Sequence, residues 1–421
     1  MPQGHLPAGL ASTVRATMTA DTMWLADPAV WEAGVPHDRF ARLRRDEPVS
    51  WHEHPEGLRG FWVLARHADV IAASRDPATF SSRWGVVNLD DLSAEQLDSR
   101  RTFLEEDPPR HTAVRGLLEA RFTPRAVAAF EAVVRRLAVE VIAPVVAAGG
   151  GDVVSAVAED VPIRLLARLL GVDEAHVDDL VRWGNELLAA PPTDPDGEFA
   201  HLPFGSPLSL RVFELADRLA DERRVTPTDD ATSALVNGRV DGAPLSPEEY
   251  RATWLMLVIA GNETTRHAIS HGVLALAEHP DQLDRWRADP GLGASAVEEI
   301  LRVATPISWH RRQVTTDVEL GGRVLRAGDK VLLSFTSANR DEAVFADPMR
   351  FDVGRRPNPH VTFGRGGPHF CLGAHVARLE LKVLFGELVG RIRRVELAGP
   401  VRRLRSNHLN GIVELPVSLT A

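Results

Sequence analysis

The only cysteine of the 421-residue chain, Cys371, lies in a stretch whose residue types could support chemistry. It follows a run that contains Gly364, Gly366 and Gly367, and it precedes an amphipathic segment that starts at Ala374. Glycines let the chain turn tightly and present backbone N–H groups at close range. The first turn of a helix favours a thiolate through its free N–H groups and its dipole. The pattern therefore predicts a thiol that is placed to become a thiolate.

Three roles fit this cysteine on its local sequence alone. A lone cysteine is most often an inert core residue. It could be a nucleophile paired with His369 or His375, although a residue two positions away in an extended loop rarely aligns as a base. It could also be a thiolate ligand to heme iron, which the N–H groups of the glycine loop would tune. The loop by itself leaves all three open.

A second polar group, "GNETT", interrupts an apolar segment. Ser246 and Glu249 form a capping box with Pro247 at the first helical position, which predicts a helix from Pro247 to His279, where Pro280 stops it. The centre of this helix is apolar on every side and should be buried. Polar groups at such a centre are costly unless they are paired or used.

The composition limits the class of protein that must position these groups. Hydrophobic residues make up 44% and charged residues 25% of the chain, which is typical of a globular protein. The net charge of −10 argues against a nucleic-acid partner. One cysteine excludes an internal disulfide and favours the cytoplasm. No apolar run reaches the roughly 18 residues of a membrane span, so no membrane anchor is expected.

Helical periodicity dominates the chain, as in "RAVAAFEAVVRRLAVEVIAPVV". Strand patterns are few and include "GFWVLAR" and the hairpin-like "DVELGGRVLRAGDKVLLSF". We therefore expect a mainly α protein with small β-sheets. Residues 1–22 are predicted to form a flexible tail, and residues 23–421 to form a single domain.

The chain resembles the cytochrome P450 family, the heme-thiolate monooxygenases, in its soluble bacterial class. Gly367, His369, Cys371 and Gly373 stand in the family's G-x-H-x-C-x-G register, and the resemblance runs from about residue 25 to the end. It implies the cytochrome P450 fold, with heme b between a long central helix and the Cys-loop helix. Cys371 would then be the ligand of the heme iron.

The Cys loop departs from the commonest bacterial form by one residue. Phe363 precedes Cys371 by eight positions instead of seven, which implies an insertion within 365–367. Similar longer loops, often preceded by "PNPH" as at 357–360, occur in relatives that act on sterols and branched lipids. The resemblance assigns Phe363 to the heme site, but the insertion changes its spacing from the sulfur.

The "AGNETT" segment resembles the family's oxygen-activating motif. By this resemblance Ala260 and Gly261 leave room for O₂, and the helix widens locally there. Glu263 and Thr264 would be the catalytic residues that deliver protons, through a hydroxyl and ordered water.

The "EEILR" segment places Glu299 and Arg302 three residues apart on one helix face. Such a pair is ordinarily a solvated surface contact. The resemblance implies instead the family's structural E-x-x-R ion pair, with Arg350 as its third member.

Heme carries two carboxylates, which need cationic or hydrogen-bonding partners when they are buried. The resemblance assigns that role to four residues, with Arg312 preferred over its neighbour Arg311 by register. These residues are His111, Arg115, Arg312 and His369.

The resemblance also implies a substrate pocket with an apolar wall, which suits an apolar small molecule. The wall residues expected are Val86, Val87, Leu257, Ile307 and Trp309, with a further contribution from residues 190–204.

The expected reaction is the hydroxylation of an apolar small molecule by O₂ and two electrons. Epoxidation, desaturation and C–C or C–O coupling remain alternatives, and a cysteine hydrolase would leave the other motifs unexplained. The electrons should come from separate partners, a ferredoxin and its reductase, docking on a basic face. That face would comprise Arg115, Arg121, Arg125, Arg365 and Arg378.

Overall fold

The computed structural model describes residues 24–54, 58–99, 101–189 and 206–421. The predicted tail at residues 1–22 and the predicted pocket segment at residues 190–204 lie outside these ranges.

Sixteen α-helices occur in the described part of the chain, and they confirm the prediction of a mainly helical fold. In chain order they are α1 Pro28–Glu32, α2 His37–Asp46, α3 His67–Arg75, α4 Ala94–Ser99, α5 Arg110–Glu119, α6 Pro124–Ala128, α7 Glu131–Ala147, α8 Asp160–Leu170, α9 Glu174–Ala189, α10 Leu208–Val225, α11 Ala231–Asn237, α12 Pro247–Glu278, α13 Pro280–Ala288, α14 Gly293–Ala304, α15 Phe335–Ala338 and α16 Ala374–Val389.

The strands form four small sheets within the described ranges. In chain order they are β1 Val49–His52, β2 Phe61–Leu64, β3 Phe80–Ser81, β4 Gly150–Asp152, β5 Trp309–Val314, β6 Val318–Leu320, β7 Arg323–Leu325, β8 Lys330–Ser334, β9 Arg394–Leu397, β10 Arg402–Arg403, β11 Ile412–Glu414 and β12 Pro416–Thr420. The largest sheet has the order β1-β2-β8-β5-β3, in which β2 and β8 are parallel and the other neighbours are antiparallel.

The long helix α12 begins as its sequence predicts. The Ser246 hydroxyl accepts from the Glu249 N–H at 3.1 Å, and the Glu249 carboxylate accepts from the Ser246 N–H at 3.1 Å. This capping box satisfies two of the N–H groups that a helix start leaves without an intrahelical partner. The centre of α12 is buried, with Trp254 and Val258 fully enclosed.

Two helices bring the candidate chemistry together. Helix α12 packs against α8, α14 and α16, and α16 packs in turn against α7 and α14. Since α16 begins three residues after Cys371, its position in this bundle fixes the place of the thiol. In the described ranges no helix combines the length and the apolar character that crossing a membrane requires.

Candidate active site

Cys371 lies just before the first turn of α16, and its residue surface is exposed. Its backbone N–H donates to the Phe363 carbonyl at 2.8 Å, which closes the loop. Protein atoms nevertheless surround the sulfur closely enough that burial raises the pKa of the thiol, against the opposing effects of the Gly373 N–H and the charges of Arg115 and Arg378. A raised pKa does not suit a hydrolytic nucleophile.

The glycines of the loop allow it to pack on α3. A Cβ atom at Gly367 would lie 1.9 Å from the Ser74 carbonyl oxygen, and Gly366 has a φ of +97°. Neither position accommodates a larger residue without a change of backbone. The Phe363 backbone stays beside Cys371 despite the extra residue, and the Arg378 guanidinium lies 4.6 Å from the centroid of the Phe363 ring.

The middle of α12 presents one exposed residue, Ala260, in a stretch whose other residues are buried or partly buried. The Thr264 hydroxyl donates to the Ala260 carbonyl at 2.9 Å, and Glu263 is 9% exposed. Helix α12 is a continuous α-helix through this region, so the predicted local widening is wrong.

Gly261 serves a different purpose from the one expected. A Cβ atom there would lie 3.1 Å from the Leu166 side chain, so its smallness allows α12 to pack closely on α8. The open surface at this level of α12 therefore belongs to Ala260.

Three of the four residues that are predicted to bind the heme carboxylates lie together. The rings of His111 and His369 have centroids 4.1 Å apart, and Arg312 acts electrostatically on both. Both ring nitrogens of His111 are buried and have no hydrogen-bond partner among the described residues. The fourth residue, Arg115, contributes charge to the cluster but pairs with Glu119 at 3.0 Å.

This buried cluster is short of negative charge. Burial lowers the pKa of Arg312 to about 10. Burial and the positive charge of Arg115 together lower the pKa of His111 to about 4. Asp107 attracts both groups, but its carboxylate accepts hydrogen bonds from Ser81 and Ser82. Buried cations and unpartnered imidazole nitrogens require an anion or another acceptor.

These residues fit heme b. The cofactor's two carboxylates would supply the acceptors and the negative charge that His111, Arg312 and His369 require. His369 precedes Cys371 by two residues, so the same loop carries a carboxylate partner and the candidate iron ligand.

The E-x-x-R pair is fully buried, and its third member is not the one predicted. Glu299 and Arg302 form an ion pair of 2.8 Å with neither side chain exposed. The second cation on Glu299 is Arg355, whose Nε lies 3.1 Å from the carboxylate. The prediction of Arg350 is wrong, because this exposed residue offers only its carbonyl oxygen to Arg302 and Arg355.

Four of the predicted wall residues lie in the fold as apolar packing residues. Val86 and Leu257 are buried, and Val87 and Ile307 are partly exposed. Ile307 also forms an isolated backbone bridge with Leu409, which belongs to the turn between β10 and β11.

The prediction that Trp309 lines the substrate pocket is wrong. Its indole is buried in a core cluster with Trp24 and Phe40, and its N–H donates to the Asn407 carbonyl. Alternation along β5 sends the neighbouring His310 to the same side as Arg312, where His310 also acts on His369. His310 was missed, although its spacing of two from Arg312 could have identified it.

Comparisons with known proteins identify the family to which the chain is similar. The family model described as "Cytochrome P450" matches residues 293–416. The chain is 41% identical over 389 residues to a methyl-branched lipid omega-hydroxylase of Mycobacterium tuberculosis, covering 90% of each chain. It is 38% identical over 396 residues to a steroid C26-monooxygenase of Mycolicibacterium smegmatis, covering 92% of this chain and 91% of the relative.

A solved structure has a closely similar fold. It is a Mycobacterium marinum cytochrome P450 in complex with pseudoionone, with a TM-score of 0.84 and 39% identity. The match covers 94% of this chain and 97% of the solved chain.

Proposed function

This chain belongs to the cytochrome P450 family, and we propose that it hydroxylates the terminal carbon of an alkyl chain on a lipid or steroid. It is a heme-dependent monooxygenase that oxidises an apolar small molecule. When bound, heme b supplies the iron at which O₂ is activated and one oxygen atom is transferred. The remaining steps depend on residues of the chain.

One observation carries the assignment of the site. Exposed Cys371 shares its loop with His369, and His369 belongs to a buried cluster with His111 and Arg312 that is short of negative charge. Cys371 would ligate the iron, while His111, Arg312 and His369 would hold the heme carboxylates. Gly373, whose N–H lies near the sulfur, would moderate the charge of the thiolate.

Glu263 and Thr264 are the proposed proton-handling pair. The Thr264 hydroxyl gives its hydrogen to the Ala260 carbonyl, so its oxygen can accept a hydrogen bond from a protonated group or a water beside Ala260. Glu263 lies one residue earlier and is nearly buried, which allows it to bring protons toward that hydroxyl. Ala260 would keep the space beside them small and apolar.

The substrate class follows from two relatives with different substrates. One is named for the omega position of methyl-branched lipids and the other for C26 of steroids, and both positions are ends of alkyl chains. An apolar alkyl chain that enters the site with its terminal carbon first would be oxidised at the position named for each relative. Partly exposed Val87 and Ile307 supply apolar contacts for such a chain.

We propose that a ferredoxin with its reductase supplies the electrons to the heme. The basic face is weaker than the sequence suggests, because Arg115, Arg121 and Arg378 each pair with a carboxylate of this chain. Arg125 and Arg365 are exposed and are the better candidates for contacts with an acidic partner. Their replacement by glutamate should slow reduction most at low salt, and salt-independent reduction would contradict this docking mode.

The first test concerns the cofactor. The purified protein, reduced and exposed to carbon monoxide, should give the strongly red-shifted Soret band of a thiolate-ligated heme, and Cys371→Ser should abolish that band. An unchanged Soret band in Cys371→Ser would show that Cys371 is not the ligand of the heme iron.

The second test concerns the substrate. We expect 15-methylhexadecanoic acid to be hydroxylated at a terminal carbon, as located by mass spectrometry of the product. Thr264→Ala should lower product formation by about a hundredfold, the lower range for loss of a proton-transfer group. Hydroxylation in mid-chain, or no turnover of either branched fatty acids or cholestane-type steroids, would contradict the proposed substrate class.

A further inference from the structure

The segment from Ser82 to Asp91 is attached to the protein at both ends. At its first end the Ser82 hydroxyl lies 3.2 Å from Nε2 of His369, and the Ser82 N–H donates to Asp107. At its other end Asp91 reaches the large sheet. The segment therefore runs from the carboxylate-binding cluster of the heme site to the sheet, and it carries Val86 and Val87.

Two buried cations of the sheet hold the far end. Arg311 of β5 and Lys330 of β8 are each 1% exposed, and their strands are paired. The Asp91 carboxylate lies 2.8 Å from Nη2 of Arg311 and 3.2 Å from Nζ of Lys330. One carboxylate thus bridges two cations that have almost no contact with solvent.

Backbone groups of the segment complete this attachment. Nη1 of Arg311 donates to the Asp90 carbonyl at 2.7 Å, and Nζ of Lys330 donates to the Leu89 carbonyl at 3.2 Å. The backbone N–H of Arg311 donates to the Val86 carbonyl at 2.8 Å. If the segment moves away, the two buried cations lose these acceptors together with the Asp91 carboxylate, and Arg311 keeps its hydrogen bond to Gln313.

The charges are arranged to favour the attached state. Burial lowers the pKa of both Arg311 and Lys330, and Asp91 opposes that effect in each case. The carboxylate of the neighbouring Asp90 lies 3.1 Å from His54, and its charge acts on both cations less than that of Asp91 does.

We infer that Asp91 is a positioning residue, which fixes the Val86–Asp91 segment against β5 and β8 and thereby sets the affinity of the enzyme for its apolar substrate. This inference rests on the proposed function, since it treats Val86 and Val87 as part of the substrate wall. Asp91 does not contact the substrate itself.

The test compares Asp91→Asn with Asp90→Asn, a matched change at the adjacent residue. Hydrogen exchange of the holoenzyme should show the Arg311 amide, whose N–H donates to the Val86 carbonyl, exchanging about tenfold faster in Asp91→Asn. The apparent Kd for 15-methylhexadecanoic acid, followed by its effect on the Soret band, should rise about tenfold if the segment stays attached in a tenth of the molecules. Asp90→Asn should change either quantity less than twofold.

Two further variants separate attachment from general damage. Asp91→Glu restores the carboxylate and should recover part of the exchange protection, whereas adding Lys330→Met to Asp91→Asn removes the donor to the Leu89 carbonyl and should not recover it. The carbon monoxide spectrum should be unchanged throughout, because the heme site is left intact. Equal exchange in Asp91→Asn and the wild type would overturn the inference, as would faster exchange with an unaltered Kd. If the wild type does not bind the fatty acid, the proposed substrate fails, while hydrogen exchange still decides whether Asp91 holds the segment.

Discussion

The Glu299 cluster and the His111–Arg312 cluster both bury positive charge, but they differ in the source of the compensating negative charge. Glu299 faces Arg302 and Arg355 at hydrogen-bond distance, and nearby carbonyl oxygens accept the remaining N–H groups. The His111–Arg312 cluster has unpartnered imidazole nitrogens, and its nearest acid is hydrogen-bonded elsewhere. One cluster is complete within the chain, and the other lacks a compensating anion among the described residues.

This difference separates structural charge from binding charge. A buried ion pair whose hydrogen bonds are all made within the chain contributes to the folded state and offers little to a ligand. A buried cation without its anion costs free energy in the folded chain, and a bound anion can recover that cost. The contrast predicts opposite responses to mutation in the two clusters.

The largest effect is expected for Glu299→Gln. It leaves the guanidinium groups of Arg302 and Arg355 buried with no carboxylate, which should cost about 3–5 kcal/mol of unfolding free energy. Denaturant unfolding and soluble yield measure the loss. Arg350→Ala is the control, because its exposed side chain lies outside the cluster, and it should change stability by no more than about 0.5 kcal/mol. A similar loss in both variants would contradict the assignment of Arg355.

The next effect concerns Glu380, which is buried without a cation. Burial raises its pKa to about 8, against a hydrogen bond from Thr265, so the folded protein keeps the carboxyl neutral at pH 7. The folded state holds this proton more tightly than the unfolded state, so stability falls as pH rises from about 4.5 to 8. Glu380→Gln should remove that slope, and melting temperatures across this pH range measure it. If the melting temperatures of the variant and the wild type depended on pH in the same way, the raised pKa of Glu380 would be contradicted.

A smaller and opposite effect is expected for Arg312→Met in the ligand-dependent cluster. The apoprotein should be as stable as the wild type or more so, because an uncompensated buried charge is removed. Heme transfer to apomyoglobin should be roughly tenfold faster, the loss expected for one charged hydrogen bond. Heme transfer from Arg312→Lys, which keeps the charge, should be faster than from the wild type and slower than from Arg312→Met. Destabilisation of the apoprotein by several kcal/mol would place Arg312 with the structural cluster.

The smallest effect is expected for charges that are paired but exposed. Arg136 and Glu140 on α7 are 3.7 Å apart and more than half exposed. Arg136→Ala should change the unfolding free energy by less than about 0.5 kcal/mol, and added salt should not alter that result. A loss of unfolding free energy above 1 kcal/mol would contradict this expectation, because it would show that an exposed ion pair stabilises this protein without burial.

Much of the fold and part of the site could be predicted because their signals are local. The capping box of α12 involves residues three apart, and the Cys loop places Gly367, His369, Cys371 and Gly373 within seven positions. Neighbours so close in sequence are held by backbone geometry, so residue type and spacing are enough to identify them. The mainly helical class follows in the same way from apolar periodicity.

Other parts of the site depend on contacts between distant segments. The choice of Arg355 over Arg350 depends on how the turn after α15 folds back on α14, and both arginines have suitable spacing in the sequence. The positions of Trp309 and His310 depend on which face of β5 meets the core, since a shift of one residue exchanges the two faces.

The sequence by itself therefore determined the family, the candidate iron ligand and the helices that carry the chemistry. Only the tertiary structure decided which cations are neutralised within the chain, which remain for a ligand, and that Asp91 reaches Arg311 and Lys330 across more than 200 residues. The physical reason is that burial and charge pairing are properties of a three-dimensional environment, to which each residue contributes only its type.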